Sequence, residues 1–138
     1  MTRHFAVYNH ATHAWVLAKN LDSTFTSKYT NGLWYTVIIR KLSGIWYVYL
    51  WNYQTGLYEI QVSGTGTGAY SYGWDIYESY LSGCSNLPFF ASRHLMVYTT
   101  TKVVYVTPTY GNEWSNLISC AYSTSWIAQF HQWTIDPN

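Results

Sequence analysis

Residues 33–63 read LWYTVIIRKLSGIWYVYLWNYQTGLYEIQVS, and their pattern decides the fold class. Three runs rich in β-branched and aromatic residues, LWYTVIIRK, IWYVYLWNY and LYEIQVS, are separated by Leu42-Ser43-Gly44 and Gln54-Thr55-Gly56. Such runs, joined by short turns containing glycine, predict an antiparallel meander. On the middle run Ile45, Tyr47, Tyr49, Trp51 and Tyr53 fall on one face, and Trp46, Val48, Leu50 and Asn52 on the other. Both sets are apolar or aromatic, which predicts a central strand covered on both sides.

The same device recurs upstream. His4 to Tyr8 and Trp15 to Lys19 flank a turn, and the stretch Tyr8-Asn9-His10-Ala11-Thr12-His13-Ala14-Trp15 matches Trp51-Asn52-Tyr53-Gln54-Thr55-Gly56-Leu57-Tyr58. Both read aromatic-Asn-x-x-Thr-x-apolar-aromatic. Asn and Thr side chains bond turn backbone, and aromatics at the strand ends pair across the ladder, so a recurrent hairpin turn is expected. Downstream, a Gly-rich stretch (Gly64-Thr65-Gly66-Thr67-Gly68) precedes Trp74 to Leu81, which reads as a strand start or a short helix. A loop over Ser82 to Pro88 follows, then β-rich runs over His94–Thr99, Lys102–Thr107 and Leu117–Ser123, and a closing run over Trp126–Ile135. Helical periodicity is nearly absent. Eight to ten short strands in one domain spanning residues 1–138 predict an all-β sandwich or barrel.

Composition narrows the function. The chain has 8 Trp, 15 Tyr and 5 Phe, while only 9% of its residues are Asp, Glu, Lys or Arg. Net charge is +1, and the basic residues are scattered, with only Arg40 and Lys41 adjacent. A duplex binder needs a basic patch or stripe, so nucleic acid is not expected as a partner. No apolar run approaches the roughly 20 residues of a membrane-spanning helix. The first residues do not read as a secretory signal, yet the low Lys and Glu content and abundant Ser, Thr, Asn, Tyr and Gly suit an extracellular or cell-surface protein. Cys84 and Cys120 are the two cysteines. Paired, they would add roughly 3–4 kcal/mol and imply an oxidising compartment; two separate buried thiols are the other reading. The expectation is the bridge.

The order of segments from Trp34 to Tyr98 resembles a known group. The aromatic hairpin WYTVIIRKLSGIWYVYLWNYQTG leads to Gly73-Trp74-Asp75-Ile76-Tyr77-Glu78, then to Leu87-Pro88-Phe89-Phe90 and a further strand. This resembles the second half of the concanavalin-like jelly rolls, in particular the glutamic peptidases. The resemblance covers roughly half of the chain and implies an antiparallel two-sheet sandwich of jelly-roll type. For activity it implies Glu78 as the acid–base group of an acid protease, with Gln54 or Gln61 as the amide that stabilises an oxyanion. Two departures stand against that activity. Glu78 follows Trp74 at a wider spacing than in that family, and the family's first-half Gln motif has no clear counterpart here.

The residues themselves favour binding. Asp75 and Glu78 are the only close carboxylate pair; on a strand they point to opposite faces, and on a helix they share one. Neither arrangement sets up an acid and base without a common cleft. His10 and His13 share a turn, while His4, His94 and His131 lie far apart in sequence, and no HExxH or cysteine spacing accompanies them, so neither metal nor cofactor is expected. Trp and Tyr, in contrast, are rigid faces with a polar edge. Trp46, Trp51, Tyr53 and Tyr58, with Asn52 and Gln54 between them, form one candidate ligand platform, and Tyr70, Tyr72 and Trp74 form a second. The expected partners are carbohydrate, which stacks its C–H faces on such rings, or copies of the chain itself in a fibre, coat or oligomer.

Overall fold

A computed structural model of the chain describes residues 4–65, 89–98, 101–109 and 122–137. The described residues are mostly antiparallel strand with one short helix, the all-β class that the sequence predicts. The chain divides into two compact units, Met1–Ser71 and Tyr72–Asn138.

In the first unit β1 (His4–Asn9) pairs with β2 (Ala14–Asn20), and β3 (Val37–Leu42), β4 (Ile45–Asn52) and β5 (Leu57–Thr65) form a three-stranded sheet in that order. β4 is the central strand, as predicted. The β3–β4 hairpin closes through Ser43 and Gly44, with φ of 47° and 82°. Two consecutive left-handed residues are what a two-residue turn matching the strand twist requires. The first strand of the meander begins later than expected. Asn31 Oδ1 accepts from the backbone N–H of both Leu33 and Trp34 (3.1 and 3.0 Å), which makes a side-chain turn next to Gly32 (φ 92°). Leu33–Thr36 therefore lead into β3 instead of belonging to it.

The helix α1 (Ser23–Tyr29) was not anticipated. Asp22 caps it: Oδ1 accepts from Phe25 N at 2.8 Å, and the Asp22 carbonyl accepts from Thr26 N at 2.9 Å. Phe25 and Tyr29, one turn apart, fall on one side and pack on Leu50 of β4 to make the buried core, with Phe5 and Leu21 against its edge. The end of the helix is tied to the β4–β5 turn. Lys28 O accepts from Tyr53 N at 2.8 Å, and Ser27 O accepts from Gln54 Nε2 at 3.2 Å.

In the second unit β6 (Phe90–Arg93), β10 (Gln132–Pro137) and β9 (Tyr122–Ala128) form a sheet in that order, and β7 (Met96–Tyr98) pairs with β8 (Val103–Tyr105). The run Trp126–Ile135, read from the sequence as one closing segment, turns back at Phe130, whose φ is 66°. His131 N donates to Ala128 O at 3.1 Å to close that hairpin.

Candidate functional site

The two faces of β4 are unlike. Its even-numbered face carries Val48, Leu50 and Asn52, all buried, and lies under α1. Its odd-numbered face carries Tyr47, Tyr49 and Trp51, all half-buried. The β4–β5 register puts Trp51 opposite Tyr58 and Tyr49 opposite Ile60, so these side chains share the odd face. Tyr58 is 42% exposed and Ile60 55% exposed. The rings meet one another: Tyr47 and Tyr49 are 5.9 Å apart at 29°, and Trp51 meets Tyr58 edge to face at 4.9 Å. The result is a row of aromatic rings along the strand, ending at the hairpin tip.

The structure sorts the first predicted platform. Trp51 and Tyr58 are neighbours on the odd face. Trp46 lies on the even face, where its ring is 5.4 Å from the Lys41 ammonium. Tyr53 is half-buried, with its hydroxyl 3.3 Å from Thr36 Oγ1. Asn52 is only 1% exposed, and both ends of its amide are engaged. Its Oδ1 accepts from Gln54 N and Thr55 N at 2.8 and 3.3 Å, and its Nδ2 donates to Glu59 Oε1 at 2.7 Å. Tyr47 and Tyr49 join the row although the sequence reading left them out of the platform. Their signal was the alternation itself, which puts them on the face of Trp51 and Trp46 on the other. Tyr70, Tyr72, Trp74, Glu78, Cys84 and Cys120 lie outside the described residues.

Glu59 is the residue that sequence reasoning missed. Its position opposite Leu50 turns its carboxylate toward the helix. Oε2 accepts from the Tyr29 hydroxyl at 2.7 Å and pairs with Lys28 Nζ at 2.9 Å, while Oε1 takes the Asn52 amide. The Lys28 hydrogen bond, followed by those of Asn52 and Tyr29, pulls the Glu59 carboxyl down to about 2, against a smaller opposing effect of burial. The same contact, with Tyr29 beside it, raises the Lys28 ammonium. A carboxylate held ionised in this way is a poor proton donor, because acid catalysis needs a pKa near the working pH. Its three contacts clamp α1, the β4–β5 turn and β5 together on the face opposite the ring row.

The glutamines named for an oxyanion role are also anchors in this structure. Gln54 holds the helix end. Gln61 is the extra residue of a bulge in β5, since Val48 pairs with Val62 and Tyr49 with Ile60. Its Oε1 accepts from Lys19 Nζ at 3.0 Å and its Nε2 donates to Glu59 O at 3.1 Å, which joins β2 to β5. Beside the helix an open pocket of about 340 Å³ is lined by Lys19, Asp22, Thr24, Phe25, Lys28 and Tyr29 among others. In the second unit Tyr105 lies between His94 and His131, at 6.1 and 4.8 Å, and His131 Nδ1 is buried with no partner among the described residues. No three His, Cys, Asp or Glu side chains come together among the described residues, and no helix there is long and apolar enough to cross a membrane.

No protein-family model, curated protein or solved structure matches this chain.

Proposed function

We propose that the chain is a non-enzymatic binding module displayed outside the cell, and that its ligand is carbohydrate held against the Tyr47–Tyr49–Trp51–Tyr58 row. The observation that carries this reading is the row itself: rings lie side by side on the sheet face opposite α1, with Tyr58 at its rim 42% exposed. The clamp of Glu59, Lys28 and Asn52 fixes the tip from behind, so the rings are held in place before a ligand arrives, and little ordering entropy opposes binding. Exposed Thr55 in the turn offers a hydroxyl to the sugar. The low charge of the chain suits a neutral ligand. The two-sheet jelly-roll form of the fold and a Cys84–Cys120 bridge belong to the same proposal, and alkylation of the unreduced, denatured protein tests the bridge. Affinity electrophoresis in gels cast with β-glucan, xyloglucan, xylan or galactomannan tests the binding. Retardation that Trp51→Ala weakens supports it, and unretarded migration in every gel counts against it.

A second reading, self-assembly into a fibre, coat or oligomer, is favoured by the exposed apolar residues on the outer strands of the three-stranded sheet. Ile39 on β3 is 63% exposed and Leu57 on β5 is 65% exposed. Outer strands with apolar side chains invite pairing with another chain. Sedimentation at high protein concentration tests it, and a strict monomer opposes it.

A further inference from the structure

The likeness between residues 8–15 and 51–58 extends from sequence to geometry. Tyr8 stands opposite Trp15 as Trp51 stands opposite Tyr58. The first pair meets edge to face at 5.0 Å and 65°, the second at 4.9 Å and 68°. Asn9 Oδ1 accepts from the N–H groups two and three residues on (2.9 and 3.3 Å), and Asn52 Oδ1 does the same (2.8 and 3.3 Å). The left-handed residue falls at the same place in each turn, at His13 (φ 53°) and Gly56 (φ 67°). His13 is not a glycine, so the first turn keeps this conformation at the cost of some strain.

What is not repeated is equally informative. The place of Glu59, seven residues after Asn52, is taken by Val16 seven residues after Asn9, so the carboxylate clamp is absent from the first hairpin. The two hairpins therefore share the tip and its ring pair but not the anchorage to α1. Trp15 is 68% exposed, more than its counterpart Tyr58. A tryptophan with most of its surface in water gains little from burial. Its edge-to-face contact with Tyr8 engages one side of the ring and leaves most of its surface open.

We propose that the Tyr8–Trp15 hairpin tip is a second carbohydrate subsite, equivalent to the one at Trp51–Tyr58, so that one chain holds a polysaccharide at two places. This rests on the function proposed above. The exposed ring of Trp15 suits a sugar face, and exposed His10, Thr12 and His13 in the turn supply the polar groups. Among the described residues the tip's further ring contact is His10 edge-on to Tyr8 at 4.9 Å, and Trp15 is 68% exposed. Two linked subsites bind a polymer more tightly than either does alone, because the second contact forms at high effective concentration.

The test uses the whole chain in affinity gels containing β-glucan, xyloglucan, xylan or galactomannan. It compares wild type with Trp15→Ala, Trp51→Ala, Tyr58→Ala and the Trp15→Ala/Tyr58→Ala double variant. Thermal melts verify that each variant is folded, and Tyr58→Ala stands in for Trp51→Ala if that variant does not fold. The expected result is a loss of about tenfold or more in apparent affinity for Trp15→Ala and for Tyr58→Ala, with retardation abolished in the double variant. Wild-type retardation of Trp15→Ala, in a gel where Trp51→Ala or Tyr58→Ala runs free, overturns the second subsite and leaves the proposed function standing. Loss on Trp15→Ala alone overturns the equivalence of the tips. Free migration of the wild type in all gels overturns both proposals.

Discussion

Replacing Leu50 by alanine tests the packing that positions the ring row. Leu50 is 0% exposed and is the sheet's contribution to the cluster with Phe25 and Tyr29. Truncating a fully buried leucine removes its transfer free energy and leaves a cavity between α1 and β4, for a cost of about 3 kcal/mol within a range of about 2–5. At an unfolding entropy of about 2.1 cal/mol/K per residue, that cost lowers the midpoint by about 10 °C if the whole chain unfolds together. If the first unit unfolds by itself, the smaller entropy roughly doubles the shift. Leu57→Ala is the control. It lies on the neighbouring strand but is 65% exposed, so a change within about 0.5 kcal/mol is expected. Urea unfolding followed by far-ultraviolet circular dichroism measures both. A Leu50→Ala loss under about 1 kcal/mol, or one no larger than that of Leu57→Ala, refutes the helix-on-sheet core.

The Glu59 clamp sets a pH dependence. Its carboxyl lies at about 2 in the folded chain against 4.5 for the free group, so the unfolded chain takes up its proton first as pH falls. Its stabilisation is complete above 4.5 and is lost as pH drops toward about 2. Urea midpoints of wild type should therefore fall across that window, and those of Glu59→Gln should fall less; parallel pH profiles count against the clamp. The two turn asparagines separate the tip from its anchorage. Asn9→Ala removes two partly solvated turn bonds and should cost about 1 kcal/mol, whereas Asn52→Ala also leaves Glu59 without its amide donor and should cost clearly more. Equal losses by denaturant titration contradict the difference drawn between the hairpins.

Much of the sheet was legible, because its turns carry their own chemistry. Ser43-Gly44 and the two Asn-x-x-Thr turns fix hairpins through backbone geometry that does not depend on the rest of the fold. The helix was not legible for the opposite reason. Seven residues are too few to be helical alone, and Phe25 and Tyr29 give only one i,i+4 pair as a signal. α1 exists because Leu50 is there to cover. The hairpin at Phe130 was hidden by the lack of Gly, Pro or Asn at a left-handed position. The inward orientation of Glu59 was obscured by the bulge at Gln61, which shifts the alternation within β5: Leu57 and Glu59 share a face with Val62 and Gly64, a phase set by pairing with β4 and not by the strand's own pattern. For the site, the sequence marked Trp51 and Tyr58 but grouped them with Trp46, which the two-residue period places on the other face.

The central claim is that the odd face of β4 and β5 binds sugar. A glycan array probed with the wild-type chain and with Trp51→Ala and Tyr49→Ala tests it most directly. The account predicts a defined set of bound glycans with wild type and weaker binding to that set in both variants, while both still melt cooperatively. Binding that both substitutions leave unchanged, or a wild-type chain that binds no glycan, contradicts it.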